Sequence, residues 1–124
     1  MKKVRILVVE DEAIIAKDIQ NILKNFGYQV TEVVSSGEES IRAAENLRPS
    51  LVLMDIRIKG DMNGREAAEK IHANYRIPIV YITAYGDEKT RQEAFLKNGF
   101  DYIPKPFEER EIENVLKKYL PECH

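Results

Sequence analysis

"LVLMD" at residues 51–55, followed by "IRIKGDMNG" at 56–64, decides how the rest of the chain is read. Four apolar residues in a row, too few for a helix, read as a strand buried on both faces. Asp55 stands where that strand meets solvent. Towards the N-terminus "VRILVVEDEA" repeats the pattern, with Ile6 to Val9 apolar and Glu10 and Asp11 directly behind them. Two buried strands therefore end in carboxylates, which repel one another unless a cation lies between them.

Around these two strands the periodicity alternates. "DEAIIAKDIQNILKNFG" (11–27) places Ile14, Ile15, Ile19, Ile22, Leu23 and Phe26 at helical spacing, with Gly27 as a stop. "YQVTEVVS" (28–35) alternates as a strand. "SGEESIRAAENLRP" (36–49) opens with Ser and an acidic turn and ends at Pro49, as helices do. "NGREAAEKIHANYR" (63–76) is helical and "IPIVYIT" (77–83) is a strand. "GDEKTRQEAFLKNG" (86–99) reads as a helix closed by Gly99, "FDYIP" (100–104) as a short strand, and "EEREIENVLKKYL" (108–120) as a last helix before Pro121. Five strands alternating with five helices predict an α/β domain, a parallel sheet with helices on both faces. One domain accounts for residues 1–124, with no linker and no internal repeat.

Composition removes several function classes. The net charge of -2 gives no basic footprint for direct nucleic-acid binding, and no apolar run approaches the ~20 residues of a membrane span. A basic start that meets acid within a few residues is not a signal peptide, so a cytoplasmic location is expected. The lone Cys123 excludes an internal disulfide framework and reads as an incidental thiol. His72 has no Cys or His at metal spacing and reads as a surface or half-buried residue. Phe95, Phe100 and Phe107 read as core.

In open α/β sheets, ligands bind outside the carboxyl ends of the strands. Glu10 and Asp11 lie at that edge after the first strand and Asp55 after the third. Thr83 ends the fourth and Lys105 follows the fifth. A nucleotide or flavin phosphate would need a Gly-rich or Ser/Thr-rich loop after the first strand, where this chain has "VEDEAI". Arg57 breaks the DxD that a Mg²⁺-dependent nuclease or topoisomerase-like site wants on the third strand. "EDE" likewise fails the DxD of a haloacid-dehalogenase-type phosphatase. The three acids do suit Mg²⁺, which takes one or two carboxylates, waters and phosphate oxygens. With the cation present, Asp55 can act as nucleophile towards a phosphoryl group, while Lys105 and the Thr83 hydroxyl balance charge on its oxygens.

These residues resemble the receiver domain of two-component response regulators over essentially the whole chain. The likeness rests on "VVEDE", "LVLMD", "YITAY" with Thr83, and "YIPKPF" with Lys105, in this order and at these spacings. It implies a flavodoxin-like (βα)5 fold with strand order 2-1-3-4-5. It implies Asp55 as phosphoacceptor and Asp11 as a direct Mg²⁺ ligand, with Glu10 acting through water and the Arg57 backbone carbonyl as a further ligand. Thr83 and Lys105 would bind the phosphoryl group, Thr83 and Tyr102 would form the switch, and the Lys105–Pro106 peptide would be cis. The variable positions that tune hydrolysis of the aspartyl phosphate fall on Arg57 and Tyr85.

The implied function is that of a signalling receiver that catalyses only its own phosphorylation and dephosphorylation. The donor would be a sensor histidine kinase or a phosphotransfer protein. A downstream effector would read the face made by the fourth helix, fifth strand and last helix, with a phosphorylation-dependent homodimer among the assemblies allowed. The rival readings are a degenerate receiver that binds proteins independently of phosphorylation, and a small-molecule phosphohydrolase. The intact Asp11, Asp55, Thr83 and Lys105 argue against the first. The lack of a separate acid/base residue and of a cap argues against the second. One departure stands out. Most members have proline four residues after the phosphoacceptor and glycine eight after, whereas here Lys59 takes the first place and Gly64 lies nine on, so the loop is one residue longer.

Overall fold

The computed structural model describes residues 4–58, 60, 62–84 and 100–120, with the backbone alone at 83 and 84. Its strands are β1 (Arg5–Val9), β2 (Gln29–Val34), β3 (Leu51–Asp55), β4 (Ile79–Ala84) and β5 (Asp101–Lys105). The helices are α1 (Ala13–Asn25), α2 (Gly37–Leu47), α3 (Gly64–Tyr75) and α4 (Glu109–Tyr119). The helix expected over residues 86–99 lies outside the described residues, so α4 is the last of the five expected from sequence. All strand pairs are parallel and the order is β2-β1-β3-β4-β5.

Side chains of the central strands alternate between two cores, which is why those strands read as continuous apolar runs. Leu7, Val9, Val52, Met54, Ile79 and Tyr81 face one core, shared with Ala43, Ala44, Ala67, Ala68 and Ile71 of α2 and α3. Ile6, Val8, Leu51, Leu53, Val80 and Ile82 face the other, shared with Ile19, Ile22 and Leu23 of α1 and Ile112 and Leu116 of α4. Both faces of β3 are closed, and every residue from Leu51 to Asp55 is buried. A large-to-small change such as Leu53→Ala would cost about 2–5 kcal/mol here. His72 is half-buried, as expected, and packs edge-on against the buried Phe100 at 5.0 Å.

Several boundaries differ in detail from the sequence reading. The alternation of β2 is broken by a bulge: Ile6 pairs with Val30 but Leu7 pairs with Glu32. The extra residue, Thr31, donates its hydroxyl to the Ile6 carbonyl at 3.3 Å. Helix α2 stops at its cap Arg48, directly before Pro49, and α3 at Arg76, both caps in the left-handed conformation with φ of 45° and 58°. Ser36 caps α2 as expected, accepting from the Glu39 amide. Lys105 is the last residue of β5 rather than the first beyond it.

Candidate functional site

The parallel register delivers the site residues to one edge. Glu10 directly follows β1, Asp55 ends β3 and Lys105 ends β5. Glu10 is 2% exposed and Asp55 5%, so two carboxylates are held out of water with little room to relax. Lys105 Nζ lies 2.8 Å from Glu10 Oε1 and 3.1 Å from Asp55 Oδ2, bridging the two. The sequence reading assigned Lys105 to an incoming phosphoryl group and missed this bridge, because Glu10 and Lys105 meet only when β1 and β5 are aligned across β3 and β4.

The remaining oxygens take backbone donors. The Glu12 amide donates to Glu10 Oε2 at 3.1 Å and the Arg57 amide to Asp55 Oδ1 at 3.0 Å. The Asp55 carboxylate is thus fixed from both sides, by a peptide and by an ammonium. Burial, the largest cause, and the neighbouring Asp55 carboxylate push the Glu10 carboxyl up to about 7, against the opposing pull of Lys105. Burial lowers the Lys105 ammonium, but its close ion pair with Glu10 and the charge of Asp55 outweigh this and hold it above its ordinary value.

One oxygen each from Glu10, Asp11 and Asp55 lie within 4.8 Å of one another. Glu10 Oε1 is buried and makes no hydrogen bond of good geometry, its ion pair with Lys105 apart. Three hard oxygen donors, one of them incompletely satisfied, match the coordination chemistry of a small divalent cation.

The chain after Asp55 is held closely. Gly64, the first residue of α3, donates its amide to the Ile56 carbonyl at 3.0 Å. A β-carbon there would strike the Asp55 carbonyl oxygen and come within 2.8 Å of Ile56 Cα, so only glycine fits. Asn63 and Glu66 form a capping box that fixes the start of α3, with Glu66 N donating to Asn63 Oδ1 at 2.9 Å. Across the loop, the Met62 amide donates to Glu38 Oε1 of α2 at 3.2 Å.

Not every expected residue joins the cluster. Arg57 adjoins it through its backbone amide. The Lys105–Pro106 peptide is cis. Tyr102 sits on β5 opposite Tyr81 of β4, half-buried against the core under α2 and α3. The Thr83 backbone pairs with Pro104. The Thr83 side chain and Tyr85 lie outside the described residues.

Residues 6–117 match the family model of the response regulator receiver domain. The chain belongs to that family. Among curated proteins the receiver is similar to the DNA-binding response regulator MtrA of Mycobacterium leprae (strain TN), with 36% identity over 108 residues, which is 87% of this chain and 47% of that one. It is also similar to the transcriptional regulatory protein PdtaR of Mycobacterium tuberculosis (strain ATCC 25618 / H37Rv), with 33% identity over 83% of this chain and 50% of that one. The receiver spans about half the length of these relatives. Among solved structures it is similar to the signal receiver domain of a modulated diguanylate cyclase from Desulfovibrio desulfuricans G20, with 32% identity, a TM-score of 0.87, and coverage of 98% of this chain and 97% of that one. It is equally 32% identical, with a TM-score of 0.83 and coverage of 98% and 100%, to the receiver domain of sensor histidine kinase PA1611 from Pseudomonas aeruginosa PAO1. That structure has a magnesium ion coordinated in its active site cleft. A receiver is a signalling domain of two-component systems, not a metabolic enzyme.

Proposed function

We propose that the receiver takes a phosphoryl group onto Asp55 from a phosphohistidine of a sensor kinase or phosphotransfer protein, in a Mg²⁺-dependent reaction. The observation that carries this reading is the carboxylate cluster of Glu10, Asp11 and Asp55, two of them buried, with Lys105 the one ammonium against it among the described residues. Asp11, Asp55 and the Arg57 carbonyl would hold Mg²⁺, with Glu10 acting through water. Bound there, the cation would neutralise charge on the phosphoryl oxygens. An Asp55 carboxylate oxygen forms the new O–P bond while the P–N bond to the donor imidazole breaks, and the leaving imidazole is neutralised by a proton from solvent.

The chain's own groups prepare that step. The Arg57 amide and Lys105 fix the plane of the Asp55 carboxylate before the donor arrives. On transfer Lys105 would exchange its Asp55 contact for a phosphoryl oxygen, and the Thr83 hydroxyl would take another. Tyr102 would follow Thr83, altering the β5–α4 face that an effector in the cytoplasm reads. Arg57 and Tyr85 would govern the access of hydrolytic water. Such a receiver catalyses its own phosphorylation and dephosphorylation only.

Acetyl phosphate, with and without Mg²⁺, tests this directly. Intact mass should show one added phosphate on the wild-type protein with Mg²⁺, none with EDTA, and none on Asp55→Asn. An Asn variant phosphorylated as fully as wild type would overturn the assignment.

A further inference from the structure

We propose that Glu38, at the start of α2, is a positioning residue for the divalent-cation site: its carboxylate latches the β3–α3 loop and so holds the Arg57 carbonyl where a cation needs it. The inference rests on the Mg²⁺ reading above and extends it to a residue on an element that carries none of the proposed ligands.

Two independent features of the packing point to the latch. Glu38 Oε1 accepts from the Met62 amide at 3.2 Å, joining segments 24 residues apart. Gly60, with φ of +106°, brings its backbone beneath the same carboxylate, and a β-carbon there would lie 3.1 Å from Glu38 Oε2. The carboxylate therefore meets the loop at two residues. The contact is reciprocated at Gly37, where a β-carbon would come within 3.1 Å of the Met62 carbonyl and 3.2 Å of its side chain. Glycines on both sides let the two backbones approach, and Glu38 supplies the polar link between them.

Its neighbour cannot substitute. Glu39 is committed to the hydroxyls of Ser35 and Ser36, at 3.2 and 3.0 Å. The loop is fixed at its ends, by the Arg57 amide on Asp55 and by the Asn63 cap. Between those posts Glu38 is the side chain from another element that anchors it among the described residues. Without it, the loop's backbone would have to be ordered when the cation binds, and the carbonyl ligand would be less preorganised.

The test is a MgCl₂ titration of the unphosphorylated chain, followed by amide chemical shifts, for wild type, Glu38→Ala and Glu38→Gln. Both substitutions remove a negative charge from the start of α2, so any loss of helix stability is common to them. Only Gln keeps an oxygen to accept from the Met62 amide. Glu38→Ala should weaken Mg²⁺ binding by about tenfold, the low end of the range for losing a group that supports a metal site, and Glu38→Gln should stay near wild type. Equal affinity for Glu38→Ala and wild type would overturn the latch while leaving the cation site standing. Weakening of Glu38→Gln to the level of Glu38→Ala would assign the effect to charge and overturn the latch. No Mg²⁺ binding by wild type would overturn the site and the latch together.

Discussion

The two ends of the sheet treat their polar groups in opposite ways. At the amino ends of the strands, the Arg5 guanidinium donates to the Arg48 carbonyl at 2.8 Å, and the Arg5 amide to Ser50 Oγ at 3.3 Å. The Arg48 guanidinium lies over the Tyr75 ring, 4.5 Å from its centre, and the Tyr75 hydroxyl donates to Glu45 at 3.2 Å. Cations there meet carbonyls and π-faces, and the groups are largely in water. At the carboxyl ends three carboxylates cluster, and the two that are buried share one described ammonium. The same fold can satisfy its polar groups, and at one end it does. The unbalanced end is where the proposed cation would sit, since departures from local consistency concentrate at functional sites.

The comparison is most exposed to Lys105→Ala. Removing the ammonium leaves Glu10 and Asp55 facing each other without a counter-charge. At pH 8 with EDTA this should cost about 3 kcal/mol of stability, the lower end for breaking a buried pair. Urea unfolding measures it, and Mg²⁺ should restore part of the loss. A Lys105→Ala protein as stable as wild type under those conditions would show that the carboxyl end carries no electrostatic load.

A smaller effect follows from Glu10. Its folded-state pKa of about 7 lies above the ordinary value of 4.5. Between those values the folded state holds a proton that the unfolded chain has released, so stability without divalent cations should fall as pH rises through that window. The melting temperature in EDTA should decline from pH 5 to pH 7.5, and Glu10→Gln should flatten the slope. A rising or level profile in wild type would place the Glu10 carboxyl back in the usual range.

Tyr75→Phe should do least. It removes one exposed hydrogen bond at the balanced end, so it should lower the melting temperature only slightly, by the same amount with EDTA or Mg²⁺ and from pH 5 to pH 8. A Tyr75→Phe effect that depends on Mg²⁺ would mean the two ends are coupled.

The β–α order, the parallel sheet and the site edge were legible because they rest on period and on strand ends. Asp55 and Glu10 announce themselves as charges directly behind apolar runs. What was not legible depends on pairing between distant segments. Thr31 looks like an ordinary β residue, and only the partner strand shows that it is the extra one in a bulge. Arg48 and Arg76 adopt positive φ, which residue type alone would have assigned to glycine or asparagine. The Glu10–Lys105 bridge needs four strands in register. Glu38 looks like any acidic residue in a first turn until the loop after Asp55 is laid against it. The expected helix at residues 86–99, the Thr83 side chain and Tyr85 lie outside the described residues.

Gly64 carries a consequence for how such a chain can vary in evolution. Its missing β-carbon lets α3 press on the backbone of Asp55 and Ile56. A lineage that replaced it would have to shift the very strand that bears the proposed phosphoacceptor. Asp55 and Gly64 therefore act as fixed posts, and within this segment a change of length falls between them. Lengthening a surface loop by one residue costs little in closure entropy. A receiver built this way could therefore gain or lose a residue between Asp55 and Gly64 at small cost, but could not shift the strand before or the glycine after without disturbing both.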